Sequence, residues 1–138
     1  MRQSVWMLAA VVAVAGCASG GDDASDFVSM MGGVGATEAT RIATRLADKP
    51  LGSAGNPVRA DMPPGQRAYL SRLRCSNGRA PSFNRIGSMG AGPYGSIIDA
   101  YQVDCAAGAT PASSVVHLDM YHPGYSEAAA VPGFTIVP

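Results

Sequence analysis

The spacing of apolar residues changes three times along the chain. Residues 5–15 are apolar without a break. Residues 18–36 are dominated by Gly, Ser and Asp, with one apolar knot at Phe27-Val28 and Met30-Met31. A helical period follows. Ala39, Ile42, Ala43, Leu46 and Ala47 fall at i, i+3, i+4, i+7 and i+8, which makes one apolar stripe. Thr37 suits the N-cap and Glu38 the positive helix start, while Arg41, Arg45 and Lys49 take the other side. The pattern predicts a helix over 37–48, stopped by Pro50.

Residues 50–65 hold Pro50, Gly52, Gly55, Pro57, Pro63, Pro64 and Gly65, and read as a loop. From Gln66 the period is two. Tyr69, Ser71, Leu73 and Cys75 point one way; Ala68, Leu70, Arg72 and Arg74 point the other. Asn77-Gly78 predicts a type I′ hairpin turn that returns the chain through Arg79 to Ile86. Pro81 places this second strand at an edge. Residues 87–95 read as a glycine-rich loop around Tyr94. A third strand is predicted over 97–105 and a fourth over 114–121, with Val115, His117, Asp119 and Tyr121 on one of its faces. Residues 132–137 give a short fifth. Together these elements predict an α+β domain over 37–138. One N-terminal helix packs on a small antiparallel sheet of four to five strands, after a signal peptide and a flexible tether.

The first apolar run is too short for a spanning helix, which needs about 20 apolar residues. It has the length of a signal-peptide core, and Arg2 supplies the basic residue ahead of it. Directly behind it, Val14-Ala15-Gly16-Cys17 resembles the lipobox of bacterial lipoprotein signal peptides. The resemblance covers residues 1–17. It implies that residues 1–16 are removed, that the Cys17 thiol is lipidated, and that the membrane is held through that lipid. Ala18 stands where an Asp would favour the inner membrane. The implied address is therefore the outer membrane, facing the periplasm. Residues 17–36 then form the lipidated N-terminus and a tether, with a root-mean-square reach of about 25 Å.

Removing residues 1–16 from the 138 leaves 122, enough for one domain with a single core. Ten basic residues become nine with the loss of Arg2, against ten acidic ones. A nucleic-acid partner needs a basic excess that this chain lacks. The charges are segregated, however. Residues 62–98 hold Arg67, Arg72, Arg74, Arg79 and Arg85 and no acid; residues 86–138 hold Asp99, Asp104, Asp119 and Glu127 and no base. Cross-strand pairing of the two sets is expected. The other reading is an Arg face for an anionic partner.

Of three cysteines, lipidation would take Cys17 and leave Cys75 and Cys105. Beyond an export signal the compartment is oxidising, so these two are expected to form a disulfide. No Cys-x-x-Cys is present to suggest a redox pair.

Gly90, Gly92 and Gly95 formally match a dinucleotide-binding fingerprint. Pro93 interrupts it and a strand follows where a helix is required, so no nucleotide cofactor is expected. Both histidines lie in His117-Leu118-Asp119-Met120-Tyr121-His122-Pro123-Gly124-Tyr125. His117, Asp119 and His122 are ligand types for a metal, but no fourth ligand accompanies them. A serine hydrolase using His117 as base lacks a nucleophile elbow. The remaining reading is a polar surface facing solvent or a partner, with Tyr121 and Tyr125 as amphipathic contacts. The expectation is a non-enzymatic structural or interaction module contacting an envelope protein or the cell wall, without cofactor or metal. The alternative is a small periplasmic metal-dependent or hydrolytic enzyme built on the His117–His122 segment. Three phrases have a distinctive composition that ties to no activity: Asn56-Pro57-Val58-Arg59, Gly92-Pro93-Tyr94-Gly95 and Asp119-Met120-Tyr121-His122.

Overall fold

The computed structural model of the chain describes residue 30 and residues 32–138. The signal segment, the lipobox with Cys17 and most of the tether lie outside the described residues.

The predicted helix forms as α1 (Ala36–Leu46), with Gly35 rather than Thr37 at its N-cap. Glu38 in the first turn pairs with Arg41 at 3.0 Å and Arg45 at 3.6 Å. Ala39, Ile42 and Leu46 are buried, as the stripe requires. Their partner differs from the expected one. They gather around Tyr94, from the turn between two strands, in a small cluster of their own. The sheet is covered instead by a second helix.

That helix is a correction to the predicted first strand. Residues 58–72 form strand β1 (Val58–Asp61) followed at once by α2 (Met62–Arg72). Pro63 and Pro64 occupy the first turn of α2, where a missing N–H costs nothing and a fixed φ helps. Gln66, Tyr69 and Leu70 are buried, and Leu73 continues the same face. The period of two over 66–75 was therefore a coincidence of Tyr69, Leu73 and Cys75.

The remaining strands are β2 (Leu73–Arg74), β3 (Ser82–Ala91), β4 (Ile97–Asp104), β5 (Ser113–Asp119), β6 (Tyr121–Ser126) and β7 (Thr135–Ile136). Five of them form one sheet in the order β3-β4-β5-β1-β6, and β2 pairs with β7 in a second. The domain is α+β, but the main sheet is mixed rather than antiparallel. β1 runs parallel to β5 with Val58 opposite Leu118 and Arg59 opposite Asp119, and antiparallel to β6. The predicted single strand over 114–121 breaks at Met120. Its two parts lie on opposite sides of β1, because β1 takes the hydrogen-bonding edge that a hairpin of β5 and β6 would have used.

The turn at Asn77-Gly78 exists. Gly78 N–H donates to Cys75 O at 2.8 Å and Arg79 N–H to Asn77 Oδ1 at 3.0 Å. It does not join two paired strands, since β2 pairs with β7 and β3 with β4. Residues 87–91 belong to β3, with register shifts on either side of Gly87-Ser88, so the glycine-rich loop shrinks to the turn at 92–96. β3 is an edge strand, as Pro81 suggested.

The core lies between α2 and the main sheet. Tyr69, Leu70 and Leu73 meet Tyr101, Val103, Val116 and Leu118. Val131 and Phe134 close it from the C-terminal segment. Cys75 and Cys105 form the expected disulfide, with Cα atoms 6.0 Å apart. Cys75 follows β2 and Cys105 follows β4, so the bond ties the two-stranded sheet to the main one. Of the predicted cross-strand ion pairs, Arg85–Asp99 forms at 2.6 Å between β3 and β4. Arg72 and Arg74 instead donate to backbone carbonyls: Arg72 to Glu127 O, Arg74 to Ser71 O and Leu73 O.

Candidate functional site: the Arg59 cleft

The three distinctive phrases of the sequence converge. β1 delivers Arg59, the β3–β4 turn delivers Tyr94, and the β5–β6 corner delivers Asp119 and His122. Arg59 stands opposite Asp119 in the parallel register. The Tyr94 and His122 rings meet edge to face, with centroids 4.7 Å apart.

Asp119 is the last residue of β5 and is fully buried. Its Oδ1 accepts the Tyr121 N–H at 3.0 Å, which fixes the corner between β5 and β6. Its Oδ2 accepts the Ser96 hydroxyl, which holds the β3–β4 turn against that corner. His122 Nε2 lies 3.5 Å from the same Oδ2, beyond hydrogen-bond geometry. This nitrogen is buried without a hydrogen-bond partner. A buried polar group in that condition calls for an explanation.

The predicted face of His117, Asp119 and Tyr121 is not formed as a unit. Tyr121 is on a different strand. The His117 backbone N–H donates to Gly52 O at 2.8 Å, and its ring Nδ1 lies 3.2 Å from the same oxygen. The residue that meets Asp119 is His122. Among the described residues, no group of three His, Cys, Asp or Glu side chains is placed to hold a metal ion.

Tyr125, on β6, lies beneath Arg59, whose guanidinium carbon is 3.8 Å from the ring centroid. The Tyr125 hydroxyl donates to Glu127 Oε2 at 3.1 Å. Burial pushes this phenol up in pKa, as does Glu127, with Arg59 opposing. Tyr94 is also raised, by burial first, again against the Arg59 charge. Glu127 Oε1 accepts the N–H groups of Ala128 and Ala129 at 3.0 and 3.1 Å.

Between the first turn of α1 and β6 is a cleft of about 160 Å³. Val34, Ala36 and Ala39 give it an apolar wall; Arg59, His122 and Tyr125 give it a polar one. A shallower hollow of about 380 Å³ lies on the other side of Arg59 and Tyr125, bounded by Asp61, Ala68 and Glu127.

The chemistry open to this site is limited by the order of its groups. Ser96 is bonded to the carboxylate, not to the imidazole, and is itself buried. A serine nucleophile needs an adjacent base to take its proton. Asp119 therefore acts as a structural tie between the turn and the corner. Arg59 and Ser96 were not singled out as site residues from sequence. The only signal for Arg59 was the composition of its phrase, and Ser96 had none.

No protein-family model, curated protein or solved structure matches the chain.

Proposed function

We propose that this chain is a membrane-anchored lipoprotein of the bacterial cell envelope whose folded domain is a binding or structural module. The observation that carries the reading is Val14-Ala15-Gly16-Cys17 placed directly behind the apolar run of residues 5–15. The Cys75–Cys105 pairing supports it, since disulfides persist in oxidising compartments. It also leaves Cys17 as the single cysteine outside that pair. Ala18 supports an outer-membrane address facing the periplasm. Several acyl chains would anchor the protein firmly, at about 0.8 kcal/mol per buried CH₂. For the domain itself, the burial of Ser96 and the commitment of Asp119 to structural bonds support binding over hydrolysis. Its partner would be an envelope protein or a cell-wall component.

Cys17→Ser tests the anchor. The substitution should abolish labelling by a fatty-acid probe and release the chain from membranes. Membrane retention equal to the wild type would refute the proposal.

A further inference from the structure

We infer that the cleft between α1 and β6 is a binding site for a small free carboxylate, such as the C-terminal end of a short peptide with small side chains. The inference extends the binding-module reading to a ligand class and does not require the lipid anchor.

Four features point to this ligand. Arg59 has no carboxylate partner within ion-pair distance among the described residues. Its guanidinium carbon lies 3.8 Å from the Tyr125 ring centroid, and its five N–H donors exceed what one contact with the Tyr125 hydroxyl would use. Such a fork matches a carboxylate with two parallel hydrogen bonds. Second, His122 is 6% exposed and its ring forms part of the polar wall of the cleft, while its Nε2 faces Asp119 Oδ2 at 3.5 Å. Third, the first turn of α1 borders the same cleft, and Gly35 provides no side-chain cap. The first N–H groups of a helix lack internal partners and favour an anion. Fourth, the opposite wall is built from Val34, Ala36 and Ala39, which leaves room for a methyl-sized group beside the charge.

Charge and volume narrow the ligand further. Asp119 and Glu127 lie near Arg59, though their oxygens are occupied by Tyr121, Ser96, Tyr125 and the 128–129 backbone. Asp61 also borders the hollow beside Arg59; negative charge so close repels a phosphate dianion more strongly than a monoanion. A cleft of about 160 Å³ is well below the roughly 300–1,000 Å³ of sites for drug-sized ligands. It admits the end of a chain and not a large body.

The test is titration of the full chain in detergent with N-acetyl-alanyl-alanine, its C-terminal amide and inorganic phosphate, followed by calorimetry and by ¹H–¹⁵N NMR. The free acid should bind, shifting the resonances of Ala36, the Arg59 side chain and Tyr125. The amide should bind at least about tenfold more weakly, since it loses a charge-assisted contact. Arg59→Gln should weaken the acid by a similar factor. Because Arg59 also packs on Tyr125, Ala36→Leu provides the second variant. Ala36 is exposed, so a larger side chain fills the cleft mouth without disturbing the core. This variant should melt as the wild type does and no longer bind. Equal binding of acid and amide, no binding of either, tighter binding of phosphate than of the acid, or unimpaired binding by Ala36→Leu would each overturn the inference. Membrane release by Cys17→Ser reads the anchor separately.

Discussion

Arg85 Nη2 lies 2.6 Å from Asp99 Oδ1, joining a half-exposed cation to a buried carboxylate across the β3–β4 pair. Gln66 Nε2 donates to the other carboxylate oxygen at 3.3 Å, and Tyr101 donates its hydroxyl to Gln66 Oε1 at 3.0 Å. The chain of bonds fastens α2 to the sheet through polar groups inside an apolar core.

This network makes acid stability depend on Asp99. Burial pushes its carboxyl up, but hydrogen bonds from Arg85 and Gln66, with the Arg85 charge and Ser88, outweigh burial and leave it below the usual range. The unfolded value is about 3.9. A carboxyl depressed on folding contributes stability above that value and loses it as pH falls through the folded one. The wild-type Tm should therefore drop below about pH 4. Asp99→Asn should lower Tm at pH 7 and flatten the acid limb, leaving the part owed to Asp104, which Ser113 and Gln102 also hold low. Thermal unfolding between pH 2 and 7, followed by circular dichroism, measures both. Identical acid limbs would exclude Asp99 as their source.

The disulfide closes a loop with a sequence separation of 30. On the chain-entropy account that is worth about 3–4 kcal/mol. Cys75→Ser with Cys105→Ser should lower Tm by on the order of 15 °C. Alkylation of the unreduced chain should find no free thiol at either position; two free thiols would refute the bond.

Tyr69 is a buried phenol with two backbone partners. Its hydroxyl donates to Ala129 O at 3.0 Å and accepts the Val131 N–H at 3.1 Å. Burial pushes its pKa well above the usual value for tyrosine. A group raised on folding stabilises below its unfolded pKa and ceases to do so as pH rises through the folded value. Stability should accordingly decline above about pH 10, and Tyr69→Phe should make that decline shallower. At neutral pH the same variant leaves the Val131 N–H and Ala129 carbonyl without this partner, at a cost of about 1–3 kcal/mol. Near-ultraviolet absorbance with denaturant melts at pH 7 and pH 11 separates the two effects.

Gly52 has φ +83°, and a Cβ there would collide with the Val131 side chain. Its carbonyl also receives the His117 N–H at 2.8 Å. Gly52→Ala should cost about 2 kcal/mol or more, from the left-handed backbone and the overpacking together. A urea midpoint unchanged from the wild type would show that this loop yields without cost.

Reading the chain for periodicity recovered α1 within two residues at each end, and β4 within one. It failed at α2 for an identifiable reason. Gln66, Tyr69, Leu70 and Leu73 stand at i, i+3, i+4 and i+7, a helical stripe, but its first member is polar. Gln66 is buried because Asp99 and Tyr101 satisfy its amide, and neither partner is near it in sequence. Pro63-Pro64 is a loop signal by composition, yet it opens a helix. Val58–Asp61 was lost in the same stretch, because four residues between prolines and glycines carry too little pattern to register as a strand.

The candidate site shows the same division. His122 and Tyr125 stand out in the sequence, as do the phrases holding Arg59 and Tyr94, but nothing local connects them. Sequence by itself determined α1, the alternation of β4, and the pairing of the two downstream cysteines. Each of these depends on neighbours in the chain or on a count. Only the tertiary structure decided that β1 runs between β5 and β6, placing Arg59 opposite Asp119 and turning His122 toward Tyr94. Strand order is set by long-range hydrogen bonds and by which faces pack together. Those terms have no counterpart in the spacing of residues along one segment.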